Sequence, residues 1–265
     1  MKKIYLVVFA LMAVSFQAQE NIEGANSEKE STKTFKVSKN KGKLLINLGK
    51  VTVEGYKGNE IVFSREGKIP AADKRAEGLQ VVNALGLTDN TGLGINVSEK
   101  NGVLEVNSLE NTSFPAIKIL VPESIIVSFK HQSMYGGKVV FRNMQNEIEI
   151  AATYNSIQLD NITGPAVVKS IYGNVEAVFS QNVKGPLSII SIYGLADVTL
   201  PKSVKADLKT TTSYGEIYMS PDFKIDIEKK DGLVRYDSEL IGKVNGGGTS
   251  IEVRSDYSKI YLRAK

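Results

Sequence analysis

The sequence has no cysteine, no tryptophan and a single histidine. Without cysteine there is no disulfide, no thiolate metal site and no lipid-modified cysteine of the bacterial lipoprotein kind. With His131 as the only imidazole, a transition-metal centre would need almost wholly oxygen ligands, which is unusual for zinc. Serine–histidine–acid catalysis would have to run through His131, and no Gly-x-Ser-x-Gly elbow accompanies it. An excess of charge is missing too. Setting Lys2 and Lys3 aside, 31 basic residues face 29 acidic ones, a net of +2. That is too little to argue for nucleic acid or an anionic surface. Beyond Phe16 no apolar run approaches the roughly 20 residues of a membrane span.

The one long apolar run lies at the start. Met1-Lys2-Lys3, the stretch Ile4 to Phe16 and the closing Gln17-Ala18-Gln19 have the order of a secretory signal peptide over residues 1–19, with cleavage expected near Ala18. Residues 20–33 are polar and unpatterned and read as a flexible leader. The expectation is an exported protein, periplasmic, surface-bound or secreted, with no transmembrane segment after signal cleavage.

What the chain does have is a sentence repeated seven times. It centres on Tyr135, Tyr154, Tyr172, Tyr193, Tyr214, Tyr236 and Tyr257, spaced by 19, 18, 21, 21, 22 and 21 residues. Glycine often follows the tyrosine, and a small residue usually stands two places before it. A fixed period near 20 residues marks a repeat architecture. Before the tyrosines, alternate residues are apolar: Ile148 and Ile150, Ala166 and Val168, Leu187 and Ile189, Ile251 and Val253. After them come Ile157 and Leu159, Val175 and Ala177, Ala196 and Val198, Ile217 and Met219, Ile260 and Leu262. Period two on both sides of a turn describes two short strands, each with one buried face. One such unit cannot bury its own apolar face, but a stack of units can. The period is too short for a propeller blade and lacks the leucine-rich-repeat pattern. The fold class expected is all-β, a β-solenoid or β-helix with about 18–22 residues per coil over 34–265. Parity places the tyrosines inward or at a corner, and the following glycine or asparagine suits a turn with positive φ.

Residues 34–124 read as degenerate coils of the same solenoid, with strands at 34–38, 43–48, 50–54 and 60–64, and 125–265 as the regular repeats. An insertion at 70–94 breaks the rhythm. Good helix formers between Pro70 and Gly78 predict a short helix at 71–77, and Asp89-Asn90-Thr91-Gly92-Leu93-Gly94 predicts a turn-rich loop. Asn245-Gly246-Gly247-Gly248 predicts a sharp bend before the last coil.

Several segments together, Lys43 to Gly55, the Tyr-Gly turns, Asp197-Val198-Thr199-Leu200-Pro201, Asn245 to Gly248 and Lys259 to Arg263, resemble a bacterial β-strand-repeat "putative adhesin" family of unknown function, in its Bacteroidota form. The resemblance spans about residues 34–265. It implies a β-solenoid in the cell envelope and offers no catalytic residue, metal or cofactor to carry over.

The acids are the remaining candidates for chemistry. A polysaccharide lyase or hydrolase needs carboxylates in register on neighbouring coils. Counted from the tyrosines, only Glu176 and Asp197 share a position. His131 falls on a buried parity and reads as a satisfied core histidine. The function expected is therefore a non-enzymatic adhesion or interaction scaffold. Its partner would be a surface glycan or an envelope protein, bound on a strand face or through the 70–94 insertion. An envelope signalling component acting on a membrane protein and a degenerate polysaccharide-active enzyme are the alternatives. The tyrosine ladder has two readings, a row of rings that grips a ligand or an aromatic stack that fixes coil register.

Overall fold

Residues 33–67, 74–110, 114–228 and 238–265 are described in the computed structural model of this chain. The expected signal peptide, nearly all of the leader, residues 71–73 of the expected helix and Tyr236 lie outside them. In chain order the strands are β1 (Thr34–Val37), β2 (Gly42–Asn47), β3 (Val51–Tyr56), β4 (Ile61–Glu66), β5 (Ile95–Lys100), β6 (Val103–Ser108) and β7 (Ala116–Pro122). Then come β8 (Ile125–His131), β9 (Val139–Arg142), β10 (Ile148–Ala152), β11 (Ile157–Ile162), β12 (Ala166–Ser170), β13 (Val175–Phe179), β14 (Leu187–Ser191) and β15 (Ala196–Leu200). The last six are β16 (Ala206–Thr212), β17 (Ile217–Met219), β18 (Ile225–Ile227), β19 (Ser238–Val244), β20 (Thr249–Ser255) and β21 (Ile260–Ala264).

They form two mixed sheets, neither closed. One has ten strands in the order β1-β4-β7-β3-β9-β11-β13-β15-β21-β17, the other eleven in the order β18-β19-β16-β20-β14-β12-β10-β8-β2-β6-β5. From β8 to β15 the chain alternates between them, and each strand lies parallel beside its predecessor in the same sheet. The register is strict: Ile148 faces Val127 and Ala166, and Ala166 faces Leu187. Across the fold, Ile157 faces Val139 and Val175, and Val175 faces Ala196. In these rows the residues from the second copy onward share an offset from the tyrosines, while Val127 and Val139 of the first copy stand two places and one place further from Tyr135, and all of them are buried in one apolar core. Each fully buried aliphatic side chain stabilises by about 1.5–3 kcal/mol, so a stack of identical rows is what holds the sheets together.

The order of coils in space departs from their order in sequence at both ends. Strands β20 and β21, the last in the chain, lie between β14–β15 and β16–β17. Strands β2 and β3, near the start, lie between β6–β7 and β8–β9. At the C-terminal end, β19 runs antiparallel and β20 parallel to β16, so the two clasp it from either side. Asn245-Gly246-Gly247-Gly248 spans the clasped strand with φ of 49°, 87°, 87° and 159°. A side chain on Gly248 would meet the Lys205 carbonyl oxygen at 2.6 Å. Three glycines are needed because the chain must cross a neighbour's backbone in a left-handed conformation.

Antiparallel strands cover most of the outer edges: β4 and β1 beyond β7, β5 beyond β6, β19 and β18 beyond β16. Open strand edges invite association with other chains, and these strands blunt them. The helix expected at 71–77 is, within the described residues, a single 3-10 turn at Lys74–Ala76 with no buried residue. Helical propensity alone does not hold so short a segment without an apolar face to bury.

Candidate functional site

The site is built from the corner between the two sheets. In the eleven-stranded sheet β10, β12, β14, β16 and β20 end at the small residue two places before the tyrosine, at Ala152, Ser170, Ser191, Thr212 and Ser255. Strand alternation stops there, so the tyrosine is free of the parity that would have turned it inward. The backbone pairs coil to coil around the corner: Tyr172 N–H donates to Thr153 O at 2.8 Å, Tyr193 to Ile171 O at 2.8 Å, Tyr257 to Ile192 O at 3.0 Å and Tyr214 to Asp256 O at 2.8 Å.

The rings therefore stand at the corner and outside the core. Tyr154, Tyr172, Tyr193, Tyr257 and Tyr214 are 42, 51, 48, 52 and 76% exposed. In that spatial order they form one column, with centroids 5.0, 5.0, 4.7 and 5.1 Å apart and planes within 9–15° of parallel. The inward placement is overturned and the corner placement holds. Tyr135 is 56% exposed and, among the described residues, lies outside the stack.

Beneath four of the five rings, all but Tyr154, the small residue has a chemical task. Ser170 Oγ donates to Asn155 O at 3.1 Å, Ser191 to Gly173 O at 2.9 Å, Ser255 to Gly194 O at 2.9 Å and Thr212 Oγ1 to Ser258 O at 3.4 Å. All four side chains are buried. Each hydroxyl satisfies a corner carbonyl of the coil alongside, which would otherwise be an unpaired buried acceptor. The glycine after the tyrosine is explained differently from a positive φ, which none of Gly136, Gly173, Gly194 and Gly215 adopts. A methyl group on Gly173 or Gly215 would overlap the carbonyl oxygen of Asn155 or Ser258, and one on Gly194 would lie 2.5 Å from Gly173 O. The corner glycines are there because adjacent coils approach closely.

In the second copy Asn155 replaces the glycine. Its amide is buried and donates to Gly49 O at 2.8 Å and Gly137 O at 2.7 Å. Its Oδ1 is the one acceptor left, so His131 Nδ1, 2.7 Å away, carries the proton. Burial pushes the His131 imidazole below its ordinary value, with the Asn155 bond pulling the other way. Phe114 packs edge-on against the ring at 5.6 Å. His131 is thus buried and hydrogen-bonded within the stack.

Glu176 and Asp197 are register partners, as their shared offset predicts. Asp197 is held by Arg263 through two bonds of 2.7 and 2.9 Å. The same row continues to Tyr261 and Tyr218, a second stacked pair at 5.2 Å, with Lys259 and Arg263 lying over their rings. Sequence reasoning missed this pair. Its signal was present, since Tyr218 and Tyr261 each stand four places after a ladder tyrosine.

No protein-family model and no curated protein matches the chain. Two solved structures resemble it. One is named a "putative cell adhesion protein", from Clostridium sporogenes, at 19% identity and a TM-score of 0.46, covering 88% of this chain and 100% of its own. The other is named a "putative adhesin", from Bacteroides fragilis, at 12% identity and a TM-score of 0.35, covering 89% of this chain and 98% of its own.

The insertion carries a second candidate surface. Leu79, Val81, Val82 and Leu85 are 57–75% exposed. Asn83 Oδ1 closes the turn beneath them by accepting from Leu85 and Leu87 N–H. The following loop is fixed by Asp89. Burial alone would raise its pKa, but bonds from Thr91, Gly92 and Gly94 outweigh burial and hold it below the usual value. Among the described residues no cluster of three or more metal-binding side chains occurs, and no helix is long and apolar enough to cross a membrane.

Proposed function

We propose that this chain is an exported, non-enzymatic β-solenoid, one domain over 34–265, that serves as an adhesion or interaction scaffold in the bacterial cell envelope. It binds an extended ligand, glycan or protein, along the corner that carries the tyrosines. The observation behind this reading is the column itself. Five rings stand in register at one strand spacing, about half exposed, on a rigid parallel stack. Tyrosine combines an apolar body with a polar tip and loses little entropy on binding, which is why it is enriched at binding surfaces. A solvent-exposed aromatic row needs a reason beyond stability, because the core beneath it is already continuous. The signal-peptide pattern of residues 1–19 supports export.

A second reading is favoured by the exposed apolar tip at Leu79, Val81, Val82 and Leu85, which suits a protein partner in the membrane and an envelope signalling role. One experiment separates the two. The chain lacking residues 1–19 is sedimented with intact cells, with peptidoglycan and with purified surface polysaccharide. Saturable binding that weakens about tenfold or more in the Tyr172→Ala/Tyr193→Ala variant, and persists in Val81→Ser/Leu85→Ser, supports the column. The reverse pattern supports the tip. No saturable binding to any of the three removes the adhesion reading.

A further inference from the structure

We propose that the recess where β2, β6 and β8 end, beside the 70–94 insertion, binds the acetamido group of one N-acetylated sugar residue. The sugar as occupant rests on the scaffold reading, whereas the geometry does not involve the tyrosine column. The recess measures about 240 Å³. That is below the roughly 300–1,000 Å³ of drug-sized clefts, so it admits one unit of a glycan and not a run of units. The insertion is tied to the strand ends by Asn83, whose Nδ2 donates to Ser108 O at 3.2 Å. Ala84 and Leu85 line the recess from the insertion, and Asn47, Asn107 and His131 line it from the strands.

Two of these side chains are buried and only half used. His131 and Asn107 are each 9% exposed. His131 Nδ1 donates to Asn155 Oδ1 at 2.7 Å, which leaves a lone pair on Nε2 of the neutral ring. Asn107 Oδ1 accepts from Asn47 Nδ2 at 2.9 Å, which leaves its own NH₂ to donate. Among the described residues neither Nε2 nor that NH₂ has a partner. Buried polar groups are ordinarily paired. An acceptor and a donor left over on one recess call for a ligand that donates to the first and accepts from the second. A secondary amide does both with one planar group, because its N–H and C=O point opposite ways. Its methyl end needs apolar surface, which Ala84, Leu85 and Phe114 provide. Phe114 stands edge-on to the imidazole at 5.6 Å, so that surface adjoins the acceptor. A plain hydroxyl meets the same two atoms but sets a polar group against the apolar wall. Ser133 adds a hydroxyl for the sugar ring. Among the described residues that line the recess Glu110 alone is a charged type, which disfavours an acidic sugar.

The composition supplies a direct probe. His131 is the only histidine, so its imidazole nitrogens report this recess alone. The chain lacking residues 1–19, carrying ¹⁵N-labelled histidine, is titrated at about pH 8, above the ordinary imidazole value. The ligands are N-acetylglucosamine, glucose and acetylglycine methylamide. N-acetylglucosamine is expected to shift Nε2 saturably and to leave Nδ1, still on Asn155, nearly in place. Glucose should bind about tenfold or more weakly, and Asn107→Leu should weaken N-acetylglucosamine by about tenfold or more. Ala84→Trp lies on the exposed insertion and obstructs the recess without touching a strand. It should weaken binding as much, while Tyr172→Ala/Tyr193→Ala changes it less than about twofold. If N-acetylglucosamine leaves Nε2 unmoved but cells still capture the protein through the column, the recess falls and the scaffold reading stands. If neither binds, both fall. Glucose binding equally well would overturn recognition of the acetamido group. Acetylglycine methylamide binding equally well would make the occupant a peptide and overturn the sugar.

Discussion

At the scale of single residues, His131 and Asn155 show how a position that breaks the repeat can strengthen it. Asn155 stands where the other corners have glycine, and its amide ties together Gly49, Gly137 and His131, from two neighbouring coils. Burial, and not the Asn155 bond, favours the neutral imidazole. His131 has its folded-state pKa depressed by burial from the ordinary 6.5, with the Asn155 bond only partly opposing. Between the depressed value and about 6.5 the unfolded chain binds more protons than the folded one. The contribution is thus fully present above about pH 6.5 and is lost as the pH falls below it. Urea unfolding should show stability declining from about pH 6.5 downward, and His131→Gln should remove that part of the slope. Glu54, Asp89 and Glu149 have depressed pKa values and lose their contributions in a lower window, from their ordinary 3.8–4.5 downward, so the two effects separate. A slope near pH 6 that survives His131→Gln would show that another group is responsible. That His131 is buried was legible from its parity. Its partner was not, because Asn155 lies 24 residues on and only the coil register brings the two together.

At the scale of the element, the unit is the corner: buried hydroxyl, exposed ring, crowded glycine. Period two around the tyrosines was enough to place Ile148, Val168, Ile189 and Val253 in the core, because an unbroken strand permits no other face for them. The same rule failed for the rings, since the strand ends two residues earlier and parity says nothing past its last residue. The positive φ expected of a turn residue was the wrong reason for the glycine. A methyl group at Gly173 must displace the Asn155 carbonyl of the next coil, which is overpacking against backbone and not a strained φ. Gly173→Ala should cost about 1–3 kcal/mol, or several degrees in the melting temperature of a chain this size. Gly137→Ala, two coils away and uncrowded, should cost well under 1 kcal/mol by the same measurement. Equal costs at the two sites would mean that backbone freedom, and not coil-to-coil approach, selects the glycines.

At the scale of the whole molecule, the order of coils is the feature that sequence could not yield. The coils that carry Tyr154, Tyr172, Tyr193, Tyr214 and Tyr257 present closely similar corners and apolar rows, so nothing within the repeat fixes which docks on which. The repeat specifies that coils stack and leaves their order open. What settles the order is outside the repeat: the antiparallel strands β4, β5 and β19 that occupy edges, and the glycine span at 246–248 that carries the chain over β16. In consequence the last coil is not a terminal one. Tyr257 sits between Tyr193 and Tyr214 in the column, Ser255 bonds to Gly194 O, Arg263 holds Asp197, and Lys259 reaches Glu216. In a stack ordered like its sequence, removing the final coil strips one interface and leaves the rest in place. Here it separates β16–β17 from β14–β15 and takes one arm from the clasp around β16. Deleting residues 249–265 should therefore abolish hydrogen-exchange protection across β16–β19 while leaving it in β8–β13, which keep their neighbours on both sides. Protection retained in β16 after that deletion would mean that it had docked directly on β14, and that the intercalated coil is a matter of order and not of stability.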